Sequence, residues 1–368
     1  MEVNKFLVYV SCMTYNHSAF IEETLNGFCS QQTTFPFVCA IIDDASTDGE
    51  PEVIRKYLNN HFDVGDNNIT KKEETLDFEL TFTRHETNIN CYFLVLFLKY
   101  NHHRKKPKFP YVAEWRNNSK YVALCEGDDY WIDSNKLQKQ VDFLETHPDY
   151  SMTCHRTLLY SNKRKKYIGE NYCYDHNSVV DTKDIINRGG LFISTCSIIY
   201  RKEIRDNYPN YCKQCPVGDY PLQIMAAMKG KIYYFDNIMS VYRVSNVNSW
   251  MGKQQWGTIS EQNLNRIDKM INMFKGFSMD YPAYKKLFDI RTAHYLITQF
   301  PSRFSNQGRD LKKYIDYYQS EFDKFPFIWK LIYRFRLIKN PVLRRFFGWF
   351  TRPVFSKFKE KKIKRIVV

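Results

Sequence analysis

The segment "FVCAIIDDASTDG" (residues 37–49) runs six apolar or small residues together, then stops on two carboxylates and a turn-rich tail. A continuous apolar run of that length, bounded by turn residues, reads as a strand buried on both faces. Its neighbours repeat the scheme. Upstream, "KFLVYVSCMTYN" (5–16) is another such strand ending in a polar turn. Between the two, "SAFIEETLNGFCSQ" (18–31) sets Phe20, Ile21, Thr24, Leu25 and Phe28 at helical spacing, with Ser18 as N-cap and acids in the first turn. Downstream, "EPEVIRKYLNNH" carries Pro51 in the first turn of a second helix, and "FELTFTRHETN" (78–88) reads as a further strand. Strand, helix, strand, helix, strand predicts an α/β fold with a mostly parallel sheet flanked by helices.

In such sheets ligands bind beyond the carboxyl ends of the strands. Three polar clusters fall there: Thr14-Tyr15-Asn16, Asp43-Asp44, and Glu126-Gly127-Asp128-Asp129 within "YVALCEGDDYW" (121–131). Like charges at that spacing repel, which predicts a divalent cation and a polyphosphate between them. Mg²⁺ and Mn²⁺ take oxygen ligands and commonly bind through one or two carboxylates plus substrate phosphates. Gly127 permits a tight turn. One acid alone would read as a helix cap; three beside a second "DD" do not.

Beyond the acidic turn, a helix is expected from 134 through Leu137, Val141, Phe143 and Leu144, then strand and loop over 151–205 with "LFISTCSIIYRKEI" as its clearest strand. Asp219 opens a helix, "DYPLQIMAAMKG", closed by Gly230; strands "KIYYFD" and "SVYRVS" follow. From about 258 Leu264, Ile267, Ile271 and Phe274 keep helical register. The expected organisation is a catalytic α/β unit over 1–255, a helical extension over 256–321, and a basic, aromatic tail over 322–368.

The 368-residue chain carries a formal charge of +14, with 43% hydrophobic, 26% charged and 17% aromatic residues. That composition excludes a disordered protein. The charge is local: residues 322–368 hold fourteen Lys/Arg against two acids, leaving forty against thirty-eight in 1–321. The tail's short amphipathic pattern, with Trp329, Arg334, Phe335, Arg344, Arg345, Phe346, Phe347 and Trp349 interleaved, suits an anionic membrane surface. A helix packed on the domain with a solvated basic face is the other reading. No nucleic-acid module accompanies the basic stretch, so no nucleic acid is expected. Ten cysteines in a chain of this length suggest no disulfide framework. Cys12, Cys39, Cys125 and Cys196 lie in apolar runs, and Cys212 with Cys215 lacks a second pair for zinc. The opening residues do not read as a signal peptide, and "CYFLVLFL" (91–98) is too short to cross a bilayer. A cytoplasmic protein, peripheral on the inner membrane face, is the expectation.

In order, "VYVSCMTYNHSAFIEETLNGFCSQ", "AIIDDASTDG", "YVALCEGDDYW" and "VGDYPLQIMAAMKGKIYYFDNIMSVYRV" (217–244) resemble an inverting family 2 glycosyltransferase of the GT-A fold, of the kind that builds bacterial surface polysaccharides. The resemblance spans roughly residues 5–250. It implies a nucleotide-sugar donor, with a uridine diphosphate the family's commonest, and a glycan or lipid-linked acceptor. Thr14, Tyr15 and Asn16 would hold the base, Asp44 would accept a hydrogen bond from it, and Asp43 would support the ribose or its loop. Asp128 and Asp129 match the metal- and ribose-binding acidic motif, with Glu126 where an Asp is more usual. Asp219 matches the catalytic base, although an Asp before "YPLQIMAAM" also suits a helix cap. Trp131 would wall the sugar pocket or pack in the core. Thr195, Ser197, Arg243 and Trp250 are further candidates for the donor and acceptor pocket. Val244-Ser245 replace the His that often follows such an Arg, so no His ligand is assigned, and His85 and His155 read as structural. Other classes remain: a metal-dependent nucleotidyl- or phosphoryl-transferase, against which the missing G-x-x-x-x-G-K-[ST] loop counts, or an inactive membrane-surface scaffold.

Overall fold

The computed structural model describes residues 6–66, 69–103, 106–244, 260–298 and 316–324. In chain order its elements begin β1 (Val8–Thr14), α1 (Ile21–Cys29), β2 (Phe37–Asp43), α2 (Glu50–His61), β3 (Lys71–Glu74), β4 (Phe78–Arg84) and β5 (Cys91–Leu98). The middle comprises α3 (Ala113–Asn117), β6 (Tyr121–Leu124), β7 (Tyr130–Trp131), α4 (Lys136–Thr146), β8 (Tyr150–Ser161), β9 (Lys166–Asn171) and β10 (Ser178–Val179). Then come α5 (Thr182–Arg188), β11 (Ile199–Arg201), α6 (Glu203–Asp206), α7 (Asn210–Lys213), α8 (Asp219–Lys229), β12 (Lys231–Val244), α9 (Glu261–Asp280) and α10 (Lys285–Thr298).

All the strands join one sheet in the order β10-β12-β8-β11-β6-β1-β2-β5-β4-β3, with β7 on β12 and β9 on β8. Its heart is parallel: β5, β2, β1 and β6 run side by side, with Thr14 opposite Asp43 at their carboxyl ends. Two expectations need correction. The segment 78–88 is not a parallel strand: β4 turns back at His85–Asn90 and pairs antiparallel with β5. The run 91–98 supplies the parallel neighbour of β2 instead, which is why it is apolar throughout. Likewise the longest strand in 151–205 is β8, whereas "LFISTCSIIYRKEI" folds as two 3-10 turns, the three-residue β11 and α6. β8 is buried over most of its length between partners on both sides, so its mixed sequence hid it from pattern reading.

Alternate strand residues feed two cores. Val8, Val10, Cys12, Phe37, Cys39 and Ile41 face Ile21, Leu25 and Phe28 of α1, Ile54 and Leu58 of α2, and Leu137, Val141 and Leu144 of α4. On the opposite face Tyr9, Val38, Ala40, Ile42 and Leu96 share a cluster with Tyr220, Leu222 and Ile224 of α8. The same cluster includes Met270, Phe274 and Phe277 of α9 and Phe288 of α10, so the helical extension is built into the core of the sheet. Each large side chain so buried contributes about 1.5–3 kcal/mol relative to exposure. α1 begins at Ile21, with Phe20 at the N-cap position. Ser18 is therefore not the cap; its N–H donates to Asp48 at 3.0 Å. α1 comes so close to β7 that a Cβ on Gly27 would sit 2.8 Å from the Trp131 carbonyl oxygen.

Candidate active site

The acidic turn after β6 is held from three sides. Gly127 N–H donates to the Met13 carbonyl at 3.0 Å, continuing the β1–β6 pairing beyond its last strand residue. A Cβ on Gly127 would lie 2.1 Å from Thr14 Oγ1, so the glycine is required by close approach to β1. From α1, the Thr24 hydroxyl reaches the carbonyls of Asp129 (2.7 Å) and Gly127 (3.0 Å). From β12, Arg243 donates its N–H to Asp129 Oδ1 at 2.8 Å and its guanidinium to the Asp128 carbonyl at 2.6 Å. Arg243 also pairs with Glu23 and stacks on Tyr130 and Phe20, its ring distances being 4.5 and 5.0 Å. Arg243 is thus spent on shaping the turn rather than lining a sugar pocket.

Three carboxylates converge as a result. Asp129 is buried, and burial followed by the charge of Asp128 raises its carboxyl well above the ordinary range. Its Oδ2 has no partner. Asp128 is buried but for 9% of its surface, 3.8 Å from the His17 ring. Glu126 opens to solvent but is walled by protein; that desolvation, then Asp128 and Asp219, pushes it up to about 8. Among the described residues no group of three or more His, Cys, Asp or Glu is arranged to hold a metal ion. The donors that exist, the Asp128 carboxylate and the orphaned Asp129 Oδ2, fit a cation that completes its shell with phosphate oxygens and water.

Beside this turn, the loops after β1 and β2 are locked together. Asn16 adopts a left-handed backbone (φ 58°), as does Ala45 (φ 61°). Asn16 N–H donates to Ser46 Oγ, and Thr47 N–H to Asn16 Oδ1, both at 2.8 Å. The organiser is Glu50, fully buried at the start of α2: it accepts from the Thr14 hydroxyl, from His17 N–H at 2.8 Å and from Ser46 Oγ at 2.8 Å. Asp43 accepts from Ser46 N–H at 3.2 Å, while its Oδ1 is buried and unpartnered. Burial first, then Glu50 and Asp44, raise its carboxyl to about 6, against the Ser46 hydrogen bonds. Asp44 accepts from His102 N–H at 2.7 Å and pairs with Lys108, so the 101–108 loop occupies both of its oxygens. Tyr15 is half-buried at the end of β1.

Asp219 is the first residue of α8, with Gly218 at the N-cap position, so it is inside the helix rather than capping it. Its carboxylate accepts from Tyr220 N–H at 2.8 Å and lies beside Gly190, where a Cβ would stand 3.3 Å from Oδ2. Burial raises it, against the Tyr220 hydrogen bond and the charge of Arg205. Its charge contributes, after burial and Asp128, to raising Glu126.

Other candidates divide. Trp131 is in the core, its indole N–H donating to the Cys196 carbonyl at 3.0 Å and its ring packed on Phe28. Ser197 is fully buried and donates to the Ser194 carbonyl at 2.7 Å, so neither Trp131 nor Ser197 walls a pocket. Thr195 is half-buried. Trp250 and the tail residues Trp329, Arg334, Phe335, Arg344, Arg345, Phe346, Phe347 and Trp349 lie outside the described residues. His155 is buried and His85 closes the β4–β5 turn by accepting from Asn88 N–H at 3.0 Å, both structural. Sequence reasoning missed Glu50, His17, Thr24, Lys108 and Arg205, none of which sits in an acidic or strand-end motif. An open recess of about 510 Å³, lined by Asp149, Val179, Lys229 and Lys231 among others, lies at the opposite end of the strands and is separate from this chemistry. No helix of the described residues is long and apolar enough to cross a membrane.

Residues 10–74, which carry β1, α1, β2, α2 and β3, match the family model described as glycosyl transferase family 2. Uncharacterized proteins of Mycobacterium bovis and Mycobacterium tuberculosis are 29% identical over 232 residues, or 63% of this chain. The match spans 57% of those relatives' own length. Among solved structures, S. aureus TarS 1-349 in complex with UDP-GlcNAc aligns with a TM-score of 0.55 at 17% identity, covering 94% of this chain and 88% of that one. Its complex with UDP aligns over the same shares with a TM-score of 0.53. At that identity the likeness is one of fold.

Proposed function

From the match of residues 10–74 to the glycosyl transferase family 2 model, we propose that the chain is an inverting sugar transferase of that family. It moves a sugar from a nucleoside diphosphate to a hydroxyl of a glycan or lipid-linked acceptor in surface-polysaccharide synthesis. The donor we favour is a uridine-diphosphate sugar, the class bound in the TarS complexes. The observation that supports the reading is the acidic turn at the carboxyl end of the parallel strands, where Thr24 and Arg243 fix Asp128 and Asp129 beside the interlocked loops after β1 and β2.

Thr14, Tyr15, Asn16, Asp43 and Asp44 line the nucleotide end. Asp128 and Asp129 would hold a Mg²⁺ or Mn²⁺, whose chemistry is to neutralise the departing diphosphate. Asp219 takes the acceptor hydroxyl's proton as that oxygen bonds to the anomeric carbon from the side opposite the nucleotide. The bond from that carbon to the diphosphate breaks, and its electron pair leaves with the nucleoside diphosphate. A carboxylate held half-buried by the cleft is a stronger base than one in water, which favours this proton transfer. The test separates the two ends. Asp219→Asn should lower transfer by about 10²–10⁴-fold with nucleoside diphosphate binding retained. Asp129→Ala should lose Mn²⁺-dependent binding of UDP in calorimetry. Full transfer activity in Asp219→Asn would refute the assignment.

A further inference from the structure

Several basic side chains of the 106–116 and 202–206 segments are held in ion pairs. Lys108 pairs with Asp44, and Lys106 with Asp77 at 2.5 Å. Arg116 and Lys202 both engage Asp206 at 2.9 and 2.6 Å. Arg205, one residue before Asp206 on α6, makes no ion pair within the described residues. The acid nearest to it in sequence is already taken twice. Its guanidinium is nonetheless held in place, over the rings of Tyr208 (5.7 Å) and Phe109 (5.9 Å). It points at the start of α8: a Cβ on Gly218 would stand 3.5 Å from Nη2, and the missing side chain leaves the way to Asp219 open. On the other side of Asp219, beyond Gly190, Leu191 is 50% exposed and offers an apolar surface to a sugar ring.

A guanidinium is a planar fork that matches a carboxylate or phosphate with two parallel hydrogen bonds. A fixed guanidinium in no ion pair among the described residues, set beside Gly218 where its charge already acts on Asp219, is placed to take an anion on the incoming molecule as well. We propose that Arg205 is an oxyanion subsite, and that the accepting hydroxyl belongs to a sugar bearing a carboxylate or a phosphate. This rests on the transferase reading and adds the charge class of the acceptor to it. Arg205 is a specificity residue in this account; the proton still goes to Asp219.

Two measurements decide it. In the first, the full chain is treated with phenylglyoxal and modification of the Arg205 peptide is followed by mass spectrometry, alone and with inorganic phosphate, glucuronate or glucose. Protection by phosphate or glucuronate and none by glucose is expected, and the better protector names the source of the charge. Equal labelling under all conditions overturns the proposal whether or not turnover is seen. In the second, nucleoside diphosphate release is measured with a neutral oligosaccharide, its uronate counterpart and a phosphorylated counterpart. Arg205→Gln should raise KM for the charged acceptors by at least about tenfold relative to the neutral one, with Arg205→Lys between. An equal loss on all acceptors, carried by kcat with a shifted pH profile, would mean that Arg205 only tunes Asp219. Release from no donor with any acceptor would sink the transferase reading itself, leaving the protection result to decide the subsite.

Discussion

Glu50 is the residue whose removal should cost most for its distance from any chemistry. It lies fully buried at the start of α2 and gathers three donors from both nucleotide loops: the Thr14 hydroxyl, His17 N–H and Ser46 Oγ. Ser46 N–H in turn holds Asp43. Truncation in Glu50→Ala strands the buried Thr14 hydroxyl and takes the acceptor from the part-buried His17 N–H and Ser46 hydroxyl. Stranded buried polar groups cost about 1–3 kcal/mol each, so the variant should lose about 3–5 kcal/mol after partial relaxation. Glu50→Gln keeps the shape and one acceptor oxygen. The Thr14 hydroxyl can reverse to accept from the amide, since Thr14 Oγ1 also has the His17 ring at 3.2 Å as an alternative partner. That variant should lose only about 1–2 kcal/mol. Urea unfolding gives both values, and calorimetry with UDP and Mn²⁺ should show affinity falling in the same order, Ala more than Gln. The reasoning fails if Ala and Gln cost the same, because the bonds would then not be what the side chain contributes. It also fails if Glu50→Ala unfolds within about 0.5 kcal/mol of the wild type, the range of an ordinary surface change.

Asp43 makes stability pH-dependent. Its carboxyl is raised to about 6 by burial, so its contribution is fully present below about pH 4 and is lost as pH rises through about 6, worth at most about 3 kcal/mol. Urea midpoints from pH 4 to 7.5 should fall more steeply for the wild type than for Asp43→Asn; parallel curves would contradict this. Gly127→Ala drives a methyl into Thr14, whose Oγ1 would be 2.1 Å away, and should cost about 1–3 kcal/mol and abolish UDP binding. Wild-type affinity in that variant would show the approach of the turn to β1 to be dispensable. The tail 322–368 should carry the chain to anionic lipid: a version ending at 321 should stay in the supernatant with phosphatidylserine vesicles while the full chain sediments, and cosedimentation of both would remove that role.

Much of the parallel core was legible in the sequence because its strands are buried on both faces. β1, β2 and β6 read as unbroken apolar runs ending in polar turns, and the functional carboxylates lie at those ends. Local chemistry sufficed for α2 and α8 as well, where Pro51 and Gly230 mark a start and a stop. Strand direction was not legible: β4 and β5 are both apolar enough for either orientation, and the chain reversal at residues 85–90 decides. Nor could the sequence assign Trp131, Ser197 and Arg243. Their types suit a sugar pocket or a core equally, and only packing shows them turned inward.

What the sequence by itself determined is which residues end each parallel strand, since burial on both faces writes an apolar run and solvent at its carboxyl end writes a polar one. What only the tertiary structure decided is which side chains meet across long chain separations. Glu50 closing over Thr14, Arg243 reaching back to Asp129, and Arg205 brought against Gly218 at the start of α8 follow from sheet order and helix placement. Those contacts depend on distances in space that no local period records, because the energies that select them come from burying the two faces of the whole sheet.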